Sequence, residues 1–290
     1  MGALVSVVIA TRNRAEQLRR CLGALRRSAP PPGWSVEVVV VDNGSTDATG
    51  TVVASECTFG DRLSVRYLLE SRQGKAFAVN TGTAAAAGSI VAFLDDDVEA
   101  EPAWLGEVVE RFQRESALGL LAGRVVGVEG GRRAITRASA EAVLDPDRSL
   151  EGLVLGCNLA ARREVIAAVR GRDTRLGPGR GLAYEDIDFV YRVLRRGIRG
   201  CFSPLPVVVH RLGERNRDVE YLRGRGAYFA KFIARGDRTI AYQALRELNG
   251  LWRDYRRGVV RPSGSPSTRA WHLAVGATVM TARMLTPRRG

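Results

Sequence analysis

Val36-Glu37-Val38-Val39-Val40-Val41-Asp42-Asn43-Gly44-Ser45-Thr46-Asp47 sets the reading of this chain. The valine run has strand length and is apolar almost throughout, the pattern of a strand buried on both faces. Asn43 to Asp47 then supplies a turn and a helix cap. Upstream, Val5-Ser6-Val7-Val8-Ile9 is a second β-branched run. Leu18, Cys21, Leu22 and Leu25 follow it at helical spacing, and Pro30-Pro31-Pro32-Gly33 breaks the chain. Downstream, residues 64–69 read as a strand, 75–87 as an Ala-rich helix and 90–94 as a further strand. Pro102 opens a helix with Trp104, Leu105, Val108, Val109 and Phe112 on one side. This alternation predicts an α/β domain, a mostly parallel sheet flanked by helices on both faces.

The 290 residues are 45% hydrophobic and 26% charged, which excludes a wholly disordered chain, a collagen-like repeat and a polytopic membrane protein. Cys21, Cys57, Cys157 and Cys201 contain no CxxC pair and fit neither a disulfide framework nor a thiolate zinc site, so a reducing compartment is expected. Of 44 basic residues only Lys75 and Lys231 are lysines. The net charge of +13 is unevenly placed: residues 1–210 carry +2 and residues 211–290 carry +11. The apolar run 4–10 has no basic segment before it and no cleavage-like site after it, so it is expected to be a strand rather than a signal peptide. Met1-Gly2 and the residues after it match a short myristoylation pattern, which the strand reading overrides.

In a parallel sheet, ligands bind beyond the carboxyl ends of the strands. The loops there hold Thr11-Arg12-Asn13-Arg14, Asp42-Asn43-Gly44-Ser45 and Asp95-Asp96-Asp97. No GxGxxG follows the first strand and no GxxxxGK[ST] occurs, which weighs against a dinucleotide-binding domain and a P-loop NTPase. Gly177 to Gly181 reads as a mobile loop. Three consecutive carboxylates at the end of a buried strand repel one another, and their oxygens suit Mg²⁺ or Mn²⁺; a solvated acidic turn capping the next helix is the competing reading. Tyr184-Glu185-Asp186-Ile187-Asp188 opens a helix. Helix-dipole stabilisation explains such acids, and so does a general base that takes a proton from an attacking hydroxyl. His210 closes a valine strand, either as a structural residue or as a metal ligand.

Together these segments resemble glycosyltransferase family 2 of the GT-A fold over roughly residues 4–212. The resemblance is carried by residues 6–14, by Val41 to Asp47, by Gly74-Lys75-Ala76 with Asn80 and Gly82, and by Asp95-x-Asp97. Gly156-Cys157-Asn158-Leu159-Ala160-Ala161-Arg162-Arg163 and Glu185-Asp186-x-Asp188 with Arg192 and Gly197 complete it. Ala10 stands where the family more often has proline, and the absence of a QxxRW segment argues against a processive polysaccharide synthase. The resemblance implies a nucleotide-sugar donor, UDP-linked by family habit. Its base and ribose would meet Thr11, Asp42 and Asp95, with Arg14, Gly74, Lys75, Asn80 and Asp96 also on the donor side. Asp97 would hold Mn²⁺ or Mg²⁺ with His210 as a further ligand, and Asp186, beside Glu185, would be the base of an inverting transfer to a hydroxyl-bearing acceptor, a small molecule, glycan or lipid-linked.

The expected organisation is a nucleotide-sugar-binding and catalytic domain over 1–212 and a basic, mainly helical extension over 213–290. In the extension Tyr221, Tyr228 and Phe232 recur at helical spacing among Arg223, Arg225, Lys231 and Arg235. Residues 271–285 reach about 22 Å as a helix, short of the ~30 Å bilayer core, so they read as a buried or an interfacial helix with Arg269, Arg283, Arg288 and Arg289 at headgroups. Residues 262–267 read as its linker. An anionic acceptor or membrane surface fits this tail better than nucleic acid, for which no motif is present; the location that follows is cytoplasmic, peripheral at the inner face of the membrane. No oligomer signal is read. A sugar nucleotidyltransferase and a non-catalytic basic peripheral scaffold are the alternatives.

Overall fold

The computed structural model describes residues 3–55, 58–59, 63–128, 133–211, 218–261 and 263–285. Met1, Gly2, Cys57, Pro262, Arg288 and Arg289 lie outside them. The chain forms two compact units, Met1–Arg172 with Phe189–Gly213, and Asp173–Asp188 with Glu214–Gly290.

The first unit is built on β1 (Ala3–Thr11), β2 (Trp34–Asp42), β4 (Leu63–Leu69) and β5 (Ile90–Asp95), parallel in the order β4-β2-β1-β5. Helices α1 (Ala15–Arg27), α2 (Thr49–Ser55) and α3 (Lys75–Ala85) make the crossovers, and the short β3 (Thr58–Phe59) lies beside β4. Past β5 the sheet mixes directions. β10 (Asn158–Arg162) runs antiparallel between β5 and β7 (Leu118–Gly127), and β11 (Arg199–His210) is parallel to β7. β6 (Val98–Ala100) pairs antiparallel with β11, with His210 opposite Val98. β8 (Arg133–Ala134) and β9 (Ala142–Val143) add short ladders to β7 and β11.

Alternation along the strands decides what covers each face. Val5, Val7 and Ile9 join Leu18, Cys21, Leu22 and Leu25 of α1 and Trp104, Val108 and Phe112 of α4 (Trp104–Arg114) in one buried core. Val8 and Val41 face α3, where a Cβ on Gly82 would come within 2.5 Å of Val8 and 2.9 Å of Val41. Only glycine lets the helix lie that close to the sheet. The Asn158 side-chain amide donates to the carbonyls of Arg124 and Pro206 and accepts from the Trp104 indole, each at 2.9 Å, so one buried residue ties β7, β11 and α4 together. Arg162 donates to the carbonyls of Leu118 and Phe112. α5 (Arg163–Ala168) follows β10 directly.

The second unit holds α7 (Asp218–Ile233), α8 (Arg238–Arg256), α9 (Pro266–Leu285) and the segment that opens α6 (Glu185–Leu194). A Cβ on Gly226 would strike the Leu273 backbone, and one on Gly276 the Arg223 backbone, so α7 and α9 cross at backbone contact. Leu176, Leu182, Ala227 and Met280 form the buried cluster of this unit. Helix α9 begins at Pro266 rather than residue 271, so it takes in the last two residues of the expected linker. Gly177 to Gly181 forms a tied turn: Gly177 N–H donates to Leu182 O at 2.7 Å, and Arg283 donates to the carbonyls of Arg175 and Arg180. Among the described residues no helix is long and apolar enough to cross a membrane.

Candidate active site

Three loops at the carboxyl ends of β1, β2 and β4 are stitched together by short polar side chains. Asn13, at φ +52°, accepts from Thr46 N–H at 2.7 Å and donates its own N–H to Ser45 Oγ at 2.9 Å. Asp47 accepts from Ala15 N–H at the start of α1. Asn43, just after β2, ties down the third loop: its Nδ2 donates to the carbonyls of Glu70 and Arg72, and its Oδ1 accepts from Gly74 N–H at 2.8 Å. Buried Asp42 accepts from Ser45 N–H at 2.7 Å and from the Tyr67 hydroxyl at 2.8 Å. Burial and that bond to Asp42 push the Tyr67 phenol up to about 12.

The three aspartates after β5 have separate environments. Asp95 meets Lys75 Nζ at 2.5 Å. Burial works to raise its pKa, but Lys75, aided by His210 and Arg14, holds it below the usual value. Asp96 turns inward, accepting from the Thr11 hydroxyl at 2.8 Å and from Arg14 Nη1 at 2.7 Å. Its burial pushes the carboxyl up to about 6 despite Arg14. Asp97 accepts from the same Arg14 nitrogen through Oδ2 at 2.7 Å. The expected repulsion is therefore met from within, by two basic side chains, and the cluster is not uniformly outward-facing. Cys21 lies beneath, its thiol on Asp95 O at 3.5 Å; burial first, and then the aspartates, raise its pKa far enough to leave it an inert thiol.

Asp97 Oδ1 is different. It is buried and makes no hydrogen bond, and His210 Nε2 lies 3.6 Å away. His210 Nδ1 is also buried without a hydrogen bond. The β6–β11 ladder produces this pairing, because it sets His210 beside Val98. A carboxylate oxygen and an imidazole nitrogen this close, with the oxygen unsatisfied, suit a hard divalent cation. Among the described residues no group of three or more His, Cys, Asp or Glu forms a cage that would bind a cation alone.

Thr11, Arg14, Lys75, the three aspartates and His210 thus share one cluster, with Asp42 and Gly74 on the adjoining stitched loops. Asn80 stands apart: its amide accepts from Arg172 N–H at 2.7 Å and donates to Arg172 O at 2.9 Å. Glu185 and Asp186 belong to the second unit, buried in the first turn of α6. Asp186 accepts from Ile187 N–H at 2.8 Å and Glu185 from Tyr184 N–H at 3.2 Å. Tyr184 holds φ +140°, a costly angle for a residue with a side chain, and its ring packs 5.3 Å from that of Tyr228. Asp188 is sealed against Lys231, whose ammonium also meets Asp173 at 2.8 Å. Sequence reasoning assigned no role to Asn43, Tyr67, Asp173 or Lys231. The scarcity of lysine was the one signal that set residue 231 apart.

A parallel sheet whose carboxyl ends gather acidic loops is the GT-A class of α/β domain, and solved structures share it. The S. aureus TarS fragment 1–349 in complex with UDP-GlcNAc superposes with a TM-score of 0.66 at 17% identity, covering 97% of this chain and 91% of that one. Mannosyltransferase PcManGT from Pyrobaculum calidifontis, in complex with GDP-Man and Mn²⁺, gives 0.64 at 20% identity, covering 98% and 76%. At these identities the likeness is one of fold. Residues 6–170, more than half the chain, match the family model Glycosyl transferase family 2. The chain belongs to that family. The pre-mycofactocin glycosyltransferase of Mycobacterium tuberculosis is 31% identical over 217 residues, which cover 71% of this chain and 42% of that protein. The chain therefore spans less than half the length of that relative. Validoxylamine A glucosyltransferase of Streptomyces hygroscopicus subsp. limoneus is 43% identical over 108 residues, covering 37% and 23%.

Proposed function

We propose that this chain transfers a sugar from a nucleoside-diphosphate sugar, UDP-linked, to an acceptor hydroxyl, with inversion and with a divalent cation. The observation that carries the reading is the unsatisfied, buried Asp97 Oδ1 facing His210 in a family 2 chain. Arg14 fixes the other oxygen of Asp97 and so leaves Oδ1 as the oxygen that would hold an ion. Asp97 and His210 would hold Mn²⁺ or Mg²⁺, which offsets the charge that grows on a diphosphate leaving group. A carboxylate offers about four lone-pair positions, so Asp42 and Asp95 can accept ribose or base donors beside their present partners. Thr11 and Asp96 brace that loop. Lys75, a compact cation about one-fifth exposed, would turn its charge from Asp95 towards the diphosphate. Gly74 would bring backbone close to the donor, and Asn80 fixes the Arg172 backbone midway along α3.

Asp186 is the proposed base, with Glu185 shaping the turn that holds it. Deprotonation of the acceptor hydroxyl as it attacks is worth ~10²–10⁴-fold in rate. A single in-line displacement through an oxocarbenium-like state inverts the anomeric centre. The net +11 of residues 211–290 supports a peripheral position at the cytoplasmic face of a membrane, on an anionic surface. Family membership speaks against the nucleotidyltransferase alternative.

A thermal-shift screen of nucleotide sugars with and without Mn²⁺ tests the reading. Stabilisation by one donor only with metal, lost in Asp97→Asn, is the expected result. Asp186→Asn should abolish turnover while that stabilisation persists. Turnover unchanged in Asp186→Asn, or retained anomeric configuration in the product, would remove Asp186 from its role, and no turnover by the parent with any stabilising donor would favour a scaffold.

A further inference from the structure

Helix α8 turns an unusual face to solvent. Leu245, Leu248, Trp252 and Tyr255 are each more than half exposed. At 3.6 residues per turn they share one sector about 80° wide. The adjoining sector, also about 80° wide, carries Arg238, Arg246, Arg253 and Arg256, all exposed. The helix has two carboxylates of its own, and both point inward. Glu247 pairs with Arg225 at 3.0 Å and Arg269 at 3.4 Å, and Asp254 with Arg261 at 2.8 Å and Arg269 at 3.1 Å. The outward charge of α8 is thus arginine alone. Arg256 lies over the Trp252 ring at 4.9 Å, so the two sectors meet as a continuous surface.

We infer that the outward half of α8 is a docking surface for an anionic lipid bilayer, with the apolar sector at the headgroup–acyl boundary and the arginines on lipid phosphates. The argument is charge complementarity joined to shape. An interfacial helix needs an apolar sector bearing Trp and Leu beside a cationic one, and carboxylates turned towards lipid would oppose it. The proposal rests on the peripheral-membrane reading above and names the element responsible. Helix α9, the candidate by hydropathy, is otherwise engaged. Arg269 is spent on Glu247 and Asp254, Arg283 on the carbonyls of Arg175 and Arg180, and Leu273, Gly276 and Met280 are buried.

The test is co-sedimentation of the full chain with vesicles of phosphatidylcholine mixed with phosphatidylglycerol, and of phosphatidylcholine alone. Binding only to the mixed vesicles is expected, weakening with salt. Arg246→Gln/Arg253→Gln/Arg256→Gln should weaken it on the order of 10²-fold. Leu245→Ser/Trp252→Ser should abolish it, and neither set should move the melting temperature, because the altered side chains are exposed. In a Trp271→Phe background, Trp252 emission should shift to shorter wavelength on mixed vesicles. Vesicle binding that survives both sets would remove α8 from the role and leave the peripheral reading standing. No binding to either vesicle would end both. A concentration-dependent dimer dissolved by Leu245→Ser/Trp252→Ser would reassign the face to a second copy of the chain, and binding to RNA in place of vesicles would also overturn the proposal.

Discussion

The two lysines of this arginine-rich chain sit one in each unit, and each holds an aspartate of an acidic motif under opposite conditions. Lys75 and Asp95 meet at a loop edge where both remain about one-fifth exposed. Lys231 is enclosed with Asp188 and Asp173, all three nearly or wholly removed from solvent. Asp173 feels burial as an upward push, which Arg175 and Lys231 overcome to hold it well below the ordinary carboxylate range. The first pair can exchange partners when a ligand arrives, because water already screens it. The second cannot, because any unpaired member would be a buried charge. One lysine is placed to act, the other to hold the opening of α6.

Lys231→Met should therefore have the largest effect, about 3–5 kcal/mol of lost stability in a denaturant titration, because buried Asp188 loses its lysine and Asp173 keeps only Arg175. A melt unchanged from the parent would break the contrast at once. Lys231→Arg keeps the charge but forces a planar fork into a closed space, and about 1–3 kcal/mol should be lost. Lys75→Met should cost under about 1 kcal/mol of stability and show itself instead as weaker donor binding. If it destabilised the fold as much as Lys231→Met, the two pairs would be alike after all. A smaller effect calibrates the comparison on a half-exposed partner. Arg72, with Thr81, holds Glu70 down at about 2. A lowered carboxyl stabilises the fold above its ordinary value near 4.5, and that stability is lost as pH falls towards 2. Glu70→Gln should be slightly less stable than the parent at neutral pH, with the difference closing over that acid window in a pH series of melts.

Much of the first unit could be read in advance, since valine runs and helix caps are local signals. β1, β2, β4 and β5 extend at most two residues past either end of the expected strands. Asp95, Asp96 and Asp97 were visible as a cluster. Their separate environments were not legible in spacing, which links neither residue 14 to residue 96 nor residue 210 to residue 97; only the family resemblance joined Asp97 with His210. Those links are made by strand pairing. The second unit was less legible for a related reason. Residues 173–188 lie inside the span expected for the first domain, yet they group with α7 and α9 through a lysine 43 residues beyond Asp188. Periodicity also cannot distinguish a stripe that faces a core from one that faces out. The spacing of Leu245, Leu248, Trp252 and Tyr255 would suit either, and only their exposure decides.

Asn43 and Gly44 carry a consequence for the lifetime of the molecule. In Asn-Gly the glycine nitrogen can attack the asparagine side-chain amide and expel ammonia, giving a ring that water opens to aspartate or isoaspartate, and asparagine is among the heat-labile residues. Here the amide is anchored by three hydrogen bonds, while Gly44 sits at φ +77°. The folded chain thus slows a chemical clock that runs freely whenever the turn opens. Once aspartate replaces Asn43, the Nδ2 donors that clasp the carbonyls of Glu70 and Arg72 are gone. Storage at high temperature would therefore loosen the loops that follow β2 and β4 before it erodes the valine core.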